Sequence, residues 1–151
     1  MPDKDIPPCM ITIDREGRWY YKGAEMIHRE FIRLFYENLS RDSLGRYIIT
    51  WAGEQCVLDV EDTPFVIRKA FLRDESDGPR FMLLLSDDME EALLPDTLYV
   101  GKENVLYCLV KNRAFPGRFS RPAYYQLAAY LEEEEGRFFL PLNGQRYLVR
   151  Q

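Results

Sequence analysis

The feature that most constrains the fold of this chain is a segment that occurs twice. Arg29 to Leu58 reads REFIRLFYENLSRDSLGRYIITWAGEQCVL, and Arg121 to Val149 reads RPAYYQLAAYLEEEEGRFFLPLNGQRYLV. With one deletion, Arg29 falls on Arg121, Phe35 on Leu127, Leu39 on Leu131, Gly45-Arg46-Tyr47 on Gly136-Arg137-Phe138, and Gly53 on Gly144. Each copy reads as a helix followed by a β-hairpin. A chain that repeats such a unit packs two helix-covered sheets, and equivalent side chains of the two copies then converge at a junction that is a natural cleft.

Strand-like alternation surrounds each copy. Met10 to Asp14 and Arg18 to Tyr21 read as a hairpin around Arg15-Glu16-Gly17. Ile27, Phe31, Leu34, Phe35 and Leu39 recur at steps of three and four, which predicts a helix over 27–40 with those residues on its buried face. Tyr47 to Trp51 and Cys56 to Val60 then flank the Ala52-Gly53-Glu54 turn, which completes a ββαββ unit. The middle is β-rich: Phe65 to Leu72 and Arg80 to Leu85 form a hairpin, and Thr97 to Val100 and Asn104 to Val110 add short strands, the first a candidate edge. In the second copy Ser120 is a candidate N-cap and Pro122 sits in the first turn, where its missing N–H costs nothing. Ala123, Tyr124, Leu127, Ala128 and Leu131 supply its buried face, and Glu132 to Glu135 end the helix at its negative pole, an unfavourable placement.

The expected fold is therefore α+β: two ββαββ-like repeats joined by β-hairpins, mainly antiparallel sheet with two principal helices. The expected organisation is a flexible tail over 1–8, a first repeat over 9–66, and linking strands with the second repeat over 67–151. A chain of 151 residues, 46% hydrophobic, buries roughly 70% of its unfolded surface and needs no staple.

Charge and cysteine content narrow the function classes. The net charge of −5 argues against a nucleic-acid or anionic-membrane partner, which would demand a basic face. The positive charge is nevertheless carried by fifteen Arg against five Lys, and Arg suits planar bidentate contacts to phosphate or carboxylate. Cys9, Cys56 and Cys108 are widely spaced and include no C-x-x-C pair, so a reducing, cytoplasmic setting without disulfides is expected, and no zinc site or other cofactor.

Candidate chemistry is sparse. His28 is the single histidine and reads as a surface or capping residue, since general-base catalysis also needs an orienting partner and a nucleophile. Glu61-Asp62 is the most pointed acidic pair; it would bind Mg²⁺ or hold an Arg, or else Asp62 makes the turn before Pro64. Four Gly-Arg-aromatic tripeptides begin at Gly17, Gly45, Gly117 and Gly136. Their simplest role is structural, with glycine turning the chain and the aromatic entering the core. Their functional role would be a site for an anionic, ring-bearing ligand, with Trp19 and Arg46 among its walls. Arg29 and Arg121 are stronger candidates, because each opens a helix whose free N–H groups favour an anion.

Ile13-Asp14, Gly17-Arg18-Trp19, Gly23, Ile27-His28-Arg29, Arg33-Leu34-Phe35, Gly45-Arg46-Tyr47, Val60 to Phe65 and Arg121 to Tyr125 occur in an order and spacing that resembles the bacterial domain-of-unknown-function family 1285. The resemblance implies a duplicated α+β core, a C-terminal part similar to pleckstrin-homology folds, and a site between the halves for a nucleotide-like molecule in signalling. Thr50-Trp51-Ala52-Gly53-Glu54 and Asn143-Gly144-Gln145 depart from its turns. The expected function is thus non-enzymatic binding of a small anionic, nucleotide-like ligand through Arg29, Arg121, Trp19, Arg46, Glu61 and Asp62. The alternatives are a protein–protein interaction module and, third, a Mg²⁺-dependent enzyme.

Overall fold

The computed structural model describes residues 5–151, which divide into two compact units, the chain passing from one to the other between Asp62 and Thr63. Of the segment expected as a tail, residues 1–4 lie outside the described residues, and Pro8 already opens the first strand.

The first unit contains β1 (Pro8–Ile13), β2 (Trp19–Tyr21), β3 (Ala24–Glu25), α1 (Arg29–Glu37), β4 (Leu39–Arg41), β5 (Tyr47–Trp51) and β6 (Glu54–Val60). They form one six-stranded sheet in the order β3-β2-β1-β6-β5-β4. Two antiparallel meanders join through a single parallel pair, β1 beside β6, with Thr12 opposite Asp59 and Ile13 opposite Val60. Register shifts between Pro8 and Thr12, where Met10 takes φ 65° and bulges the strand.

Helix α1 is shorter than the sequence predicts, and it faces the core differently. Ile32 and Tyr36 are its buried residues, whereas Phe31 is 53% exposed and Ile27 lies before the helix at 74%. Leu39 is buried from β4. The expected stripe did not include Tyr36. Its ring instead packs edge-on against Trp19 at 4.8 Å between centroids, and so rotates the helix.

The absence of disulfides is a further expectation the structure corrects: Cys9 and Cys56 are bonded, their Cα atoms 4.9 Å apart. They are 47 residues apart in sequence, and only the β1/β6 pairing makes them neighbours. Cys108 is free and buried, and burial pushes its thiol pKa far up.

The second unit contains β7 (Phe65–Glu75), β8 (Gly78–Leu85), β9 (Glu90–Ala92), a 3-10 turn (Pro95–Thr97), β10 (Tyr99–Val100), β11 (Leu106–Val110), β12 (Phe115–Phe119), α2 (Arg121–Ala128), β13 (Glu132–Glu134), β14 (Arg137–Leu142) and β15 (Gln145–Leu148). Its larger sheet, β10-β11-β12-β7-β8-β9, repeats the topology of the first: two meanders joined by the parallel pair β7/β12. The fold is therefore α+β, duplicated and mainly antiparallel, with two α-helices among the described residues. The helix-and-meander seen twice in the sequence is also present, as α1 with β4 to β6 and α2 with β13 to β15, but the second meander stands as its own three-stranded sheet. Matching turns carry the likeness: Ala52-Gly53 has φ 52° and 81°, and Asn143-Gly144 has φ 53° and 79°.

Phe65, Val66 and Ile67 are all buried, as a strand inside a parallel pair requires, while β8 alternates through Phe81, Leu83 and Leu85. Gly117, opposite Phe65, has no room for a side chain, since a Cβ there would lie 2.7 Å from Ile67 Cδ1. Flat, the sheet would separate its edges by roughly 24 Å. Yet Glu91 of edge strand β9 accepts a hydrogen bond from Lys111 N, in the β11–β12 turn, at 3.0 Å, and Lys111 Nζ reaches Asp87 at 2.6 Å. The sheet curls its β9 edge back toward β11. Edge strand β10, the expected docking edge, is paired to the chain's own Arg150.

The four glutamates do not end a helix. Glu132 to Glu134 form β13, and Arg146 on β15 lies 2.9 Å from Glu134 and 3.7 Å from Glu132. The expected clash with a helix pole does not arise.

Candidate functional site

Of the residues expected to form a site, Trp19, Arg46, Glu61 and Asp62 in the first unit have structural occupations. Trp19 is 1% exposed, stacked on Phe35 and edge-on to Tyr36, with its Nε1 buried and unpartnered among the described residues. It is core. Arg46 is held by Asp42, whose Oδ2 accepts from Nε and Nη2, both at 2.8 Å. Glu61 accepts from Arg15 through both oxygens, at 3.0 Å from the backbone N and 3.1 Å from Nε. Asp62 is half-buried and also engaged. Among the described residues, no three His, Cys, Asp or Glu side chains gather where they could hold a metal ion.

The Gly-Arg-aromatic signal resolves into two kinds of structure. Asp14 to Arg18 and Asp42 to Arg46 form the same three-residue hairpin loop, with glycine at φ 86° and 81°. In each, the leading Asp Oδ1 accepts two backbone N–H bonds and Oδ2 binds the arginine that follows glycine. The signal was D-x-x-G-R rather than G-R-aromatic. Arg118, by contrast, lies within β12 and points to a cavity, and Arg137 opens β14 after the Glu135-Gly136 turn.

Arg29 and Arg121 open α1 and α2, each in its own unit. Arg29 is half-buried and engaged with neighbours. His28 occupies the N-cap of α1 without a capping bond and is 71% exposed, its Nδ1 3.4 Å from Glu30.

Arg121 stands in a different setting. Ser120 caps α2, accepting from Ala123 N at 3.3 Å, and also donates to Arg68 O. Gln126 accepts from Ala70 N at 2.8 Å, and Ala123 and Leu127 are fully buried, so the helix is pinned on β7. Its other side borders a cavity of about 310 Å³ lined by Arg118, Arg121, Tyr124, Tyr125, Asn104 and Glu103, above Leu106 and Phe119. Arg121 is exposed and has no hydrogen-bond or ion-pair partner among the described residues. The Tyr124 and Tyr125 rings lie 5.3 Å apart at 59°. Two guanidinium groups and two phenol rings at a capped helix N-terminus suit an anion attached to a flat ring.

A second cavity, about 480 Å³, lies in the first unit and was missed by the sequence reading. Ile11, Tyr21, Met26, Phe31, Phe35, Ile49 and Trp51 surround the Cys9–Cys56 bridge.

Fold and site together define an α+β protein of paired, parallel-joined meander sheets with a basic and aromatic cavity beside α2. Two solved structures share this fold. A DUF1285 family protein from Silicibacter pomeroyi DSS-3 is 19% identical with a TM-score of 0.79, over 96% of this chain and 81% of that one. A DUF1285 family protein from Shewanella baltica OS155 is 20% identical with a TM-score of 0.66, over 80% and 91%. No family model and no curated protein matches the chain by sequence. The likeness is one of fold, and it agrees with the resemblance read from the sequence. Among the described residues, no helix is long and apolar enough to cross a membrane.

Proposed function

We propose that the chain is a non-enzymatic binding protein for a small anionic, ring-bearing ligand of the nucleotide kind, and that a partner protein reads its occupancy as a signal. The supporting observation is Arg121: an exposed guanidinium without a hydrogen-bond or ion-pair partner among the described residues, at a capped helix start, sharing its cavity with Arg118, Tyr124 and Tyr125. Phosphate on the Arg121 guanidinium and a base against the tyrosine rings would suit both halves of that lining.

Thermal melts with nucleoside monophosphates and with inorganic phosphate test the reading. A ligand at a hundredfold its Kd stabilises the folded state by about 2.7 kcal/mol. Stabilisation of the native chain that disappears in Arg121→Ala, with the unliganded melt unchanged, supports it; the absence of any nucleotide effect would sink it.

The unit-one cavity favours the second reading, a protein–protein interaction module. Phe31 and Trp51 are 53% and 50% exposed on its walls, an apolar surface of the kind partners cover. Concentration-dependent self-association that a Phe31→Ser, Trp51→Ser double variant abolishes would favour this reading over the first.

A further inference from the structure

We infer that the cavity at Arg121 is one chamber of a two-chamber site, and that its ligand is a soluble anionic amphiphile with its charged head at Arg121 and an apolar tail along α2. This inference rests on the proposed anion site and extends it. A second cavity, about 580 Å³, continues from the first and shares Asn104, Leu106 and Tyr124 with it. Beyond the shared wall its lining is mixed: the apolar Ala128 and Leu131 on the α2 side, Phe138 on β14 and Val149 just after β15 stand beside the polar Glu133 and Gln151. The two volumes together fall within the range of roughly 300–1,000 Å³ typical of small-molecule sites.

Charge orients the occupant. Arg118 and Arg121 line the first chamber against one carboxylate, Glu103, whereas the second chamber has Glu133 and no basic residue. An anion placed in the second chamber would be repelled, so the head belongs at Arg121. Leu106 and Val149 are 2% and 3% exposed and give the tail a packed floor, while Tyr124, 37% exposed, stands on the wall common to both chambers. A phosphate-and-ring head alone would fill only the first chamber; an alkyl or prenyl chain attached to it would remove the apolar part of the second from water.

A series of soluble monoalkyl phosphates, from methyl to octyl and below their micelle concentrations, tests this by calorimetry on the native chain, Arg121→Ala, Ala128→Phe and Leu131→Ser. Burial of each methylene is expected to tighten binding by about fourfold until the chamber is full. Ala128→Phe, which fills the chamber, should erase the chain-length gain and leave inorganic phosphate binding intact. Leu131→Ser should reduce the gain, and it serves if Ala128→Phe does not fold. A flat series with Arg121-dependent phosphate binding overturns the amphiphile and leaves the anion site standing. A gain that survives both chamber variants overturns it as well, by locating the tail elsewhere. No phosphate binding removes both readings. Co-sedimentation with phosphatidylglycerol vesicles would overturn the soluble ligand in favour of a lipid surface.

Discussion

Asp42 and Arg46 close the turn between β4 and β5 through one carboxylate: Oδ1 accepts from Arg46 N at 2.8 Å and Oδ2 from Arg46 Nε at 2.8 Å. Asp14 and Arg18 do the same between β1 and β2, at 2.9 and 3.1 Å. Both arginines are therefore parts of the scaffold.

A pH dependence follows from these turns. Burial alone would raise the Asp42 pKa, but the backbone N–H and guanidinium of Arg46 and the N–H of Leu44 outweigh it and hold the carboxyl below its usual range. Burial likewise opposes ionisation of Asp14, and the N–H groups of Arg18 and Glu16 with the Arg18 guanidinium prevail. A carboxyl with a depressed folded pKa adds stability that is complete above its unfolded value, about 3.9, and is lost as pH falls through its folded value. Asp42→Asn should lower the melting midpoint by a few degrees at neutral pH and flatten the acid limb below about pH 4. Superimposable acid limbs for variant and native chain would contradict this.

The two faces of α1 should respond in opposite ways. Ile32, 2% exposed, should cost about 2–5 kcal/mol when replaced by Ala, whereas Phe31→Ala should stay within about 0.5 kcal/mol. Chemical denaturation of the two variants decides it, and equal losses would restore the stripe expected from spacing.

The Cys9–Cys56 bridge should stabilise the first unit by roughly 2–4 kcal/mol. A reductant should lower the melting midpoint of the native chain and leave that of Cys56→Ser unmoved. Alkylation under native conditions should label two cysteines after reduction and none before, because Cys108 is buried. Two labels without reductant would refute the pairing.

Gly117→Ala should destabilise by about 1–3 kcal/mol, since its methyl would meet Ile67 Cδ1 inside the β7/β12 pair. Ile67→Val in the same chain should recover part of the loss, and a melt showing no such recovery would place the strain elsewhere.

What the sequence made legible was local. The hairpin turns at Gly17, Gly45, Gly53 and Gly144, the Ser120 cap and the helix–meander likeness all depend on residues within a few positions of one another. What it concealed was non-local. The pairing of β1 with β6 decides the disulfide, and the pairing of β7 with β12 decides why Gly117 is glycine; neither leaves a periodic trace. The site followed the same division. Arg121 was visible because a helix N-terminus is a local object, and Arg118 stands only three residues before it, but Glu103 and Asn104 reach the cavity from a separate segment. Trp19 misled because an aromatic beside an arginine looks the same in a pocket wall as in a core.

The parallel pairs also govern when each sheet can exist. Phe65 meets Gly117, and Ile13 meets Val60, only after the chain between them has been made and has closed on itself. Each meander is a local structure that forms quickly, but joining two of them demands a long loop closure whose entropy comes due before the contact rewards it. The two parallel zippings are therefore the steps with the longest loops to close, and a chain that ends before Phe119 holds a strand, β7, with one of its flanks unpaired.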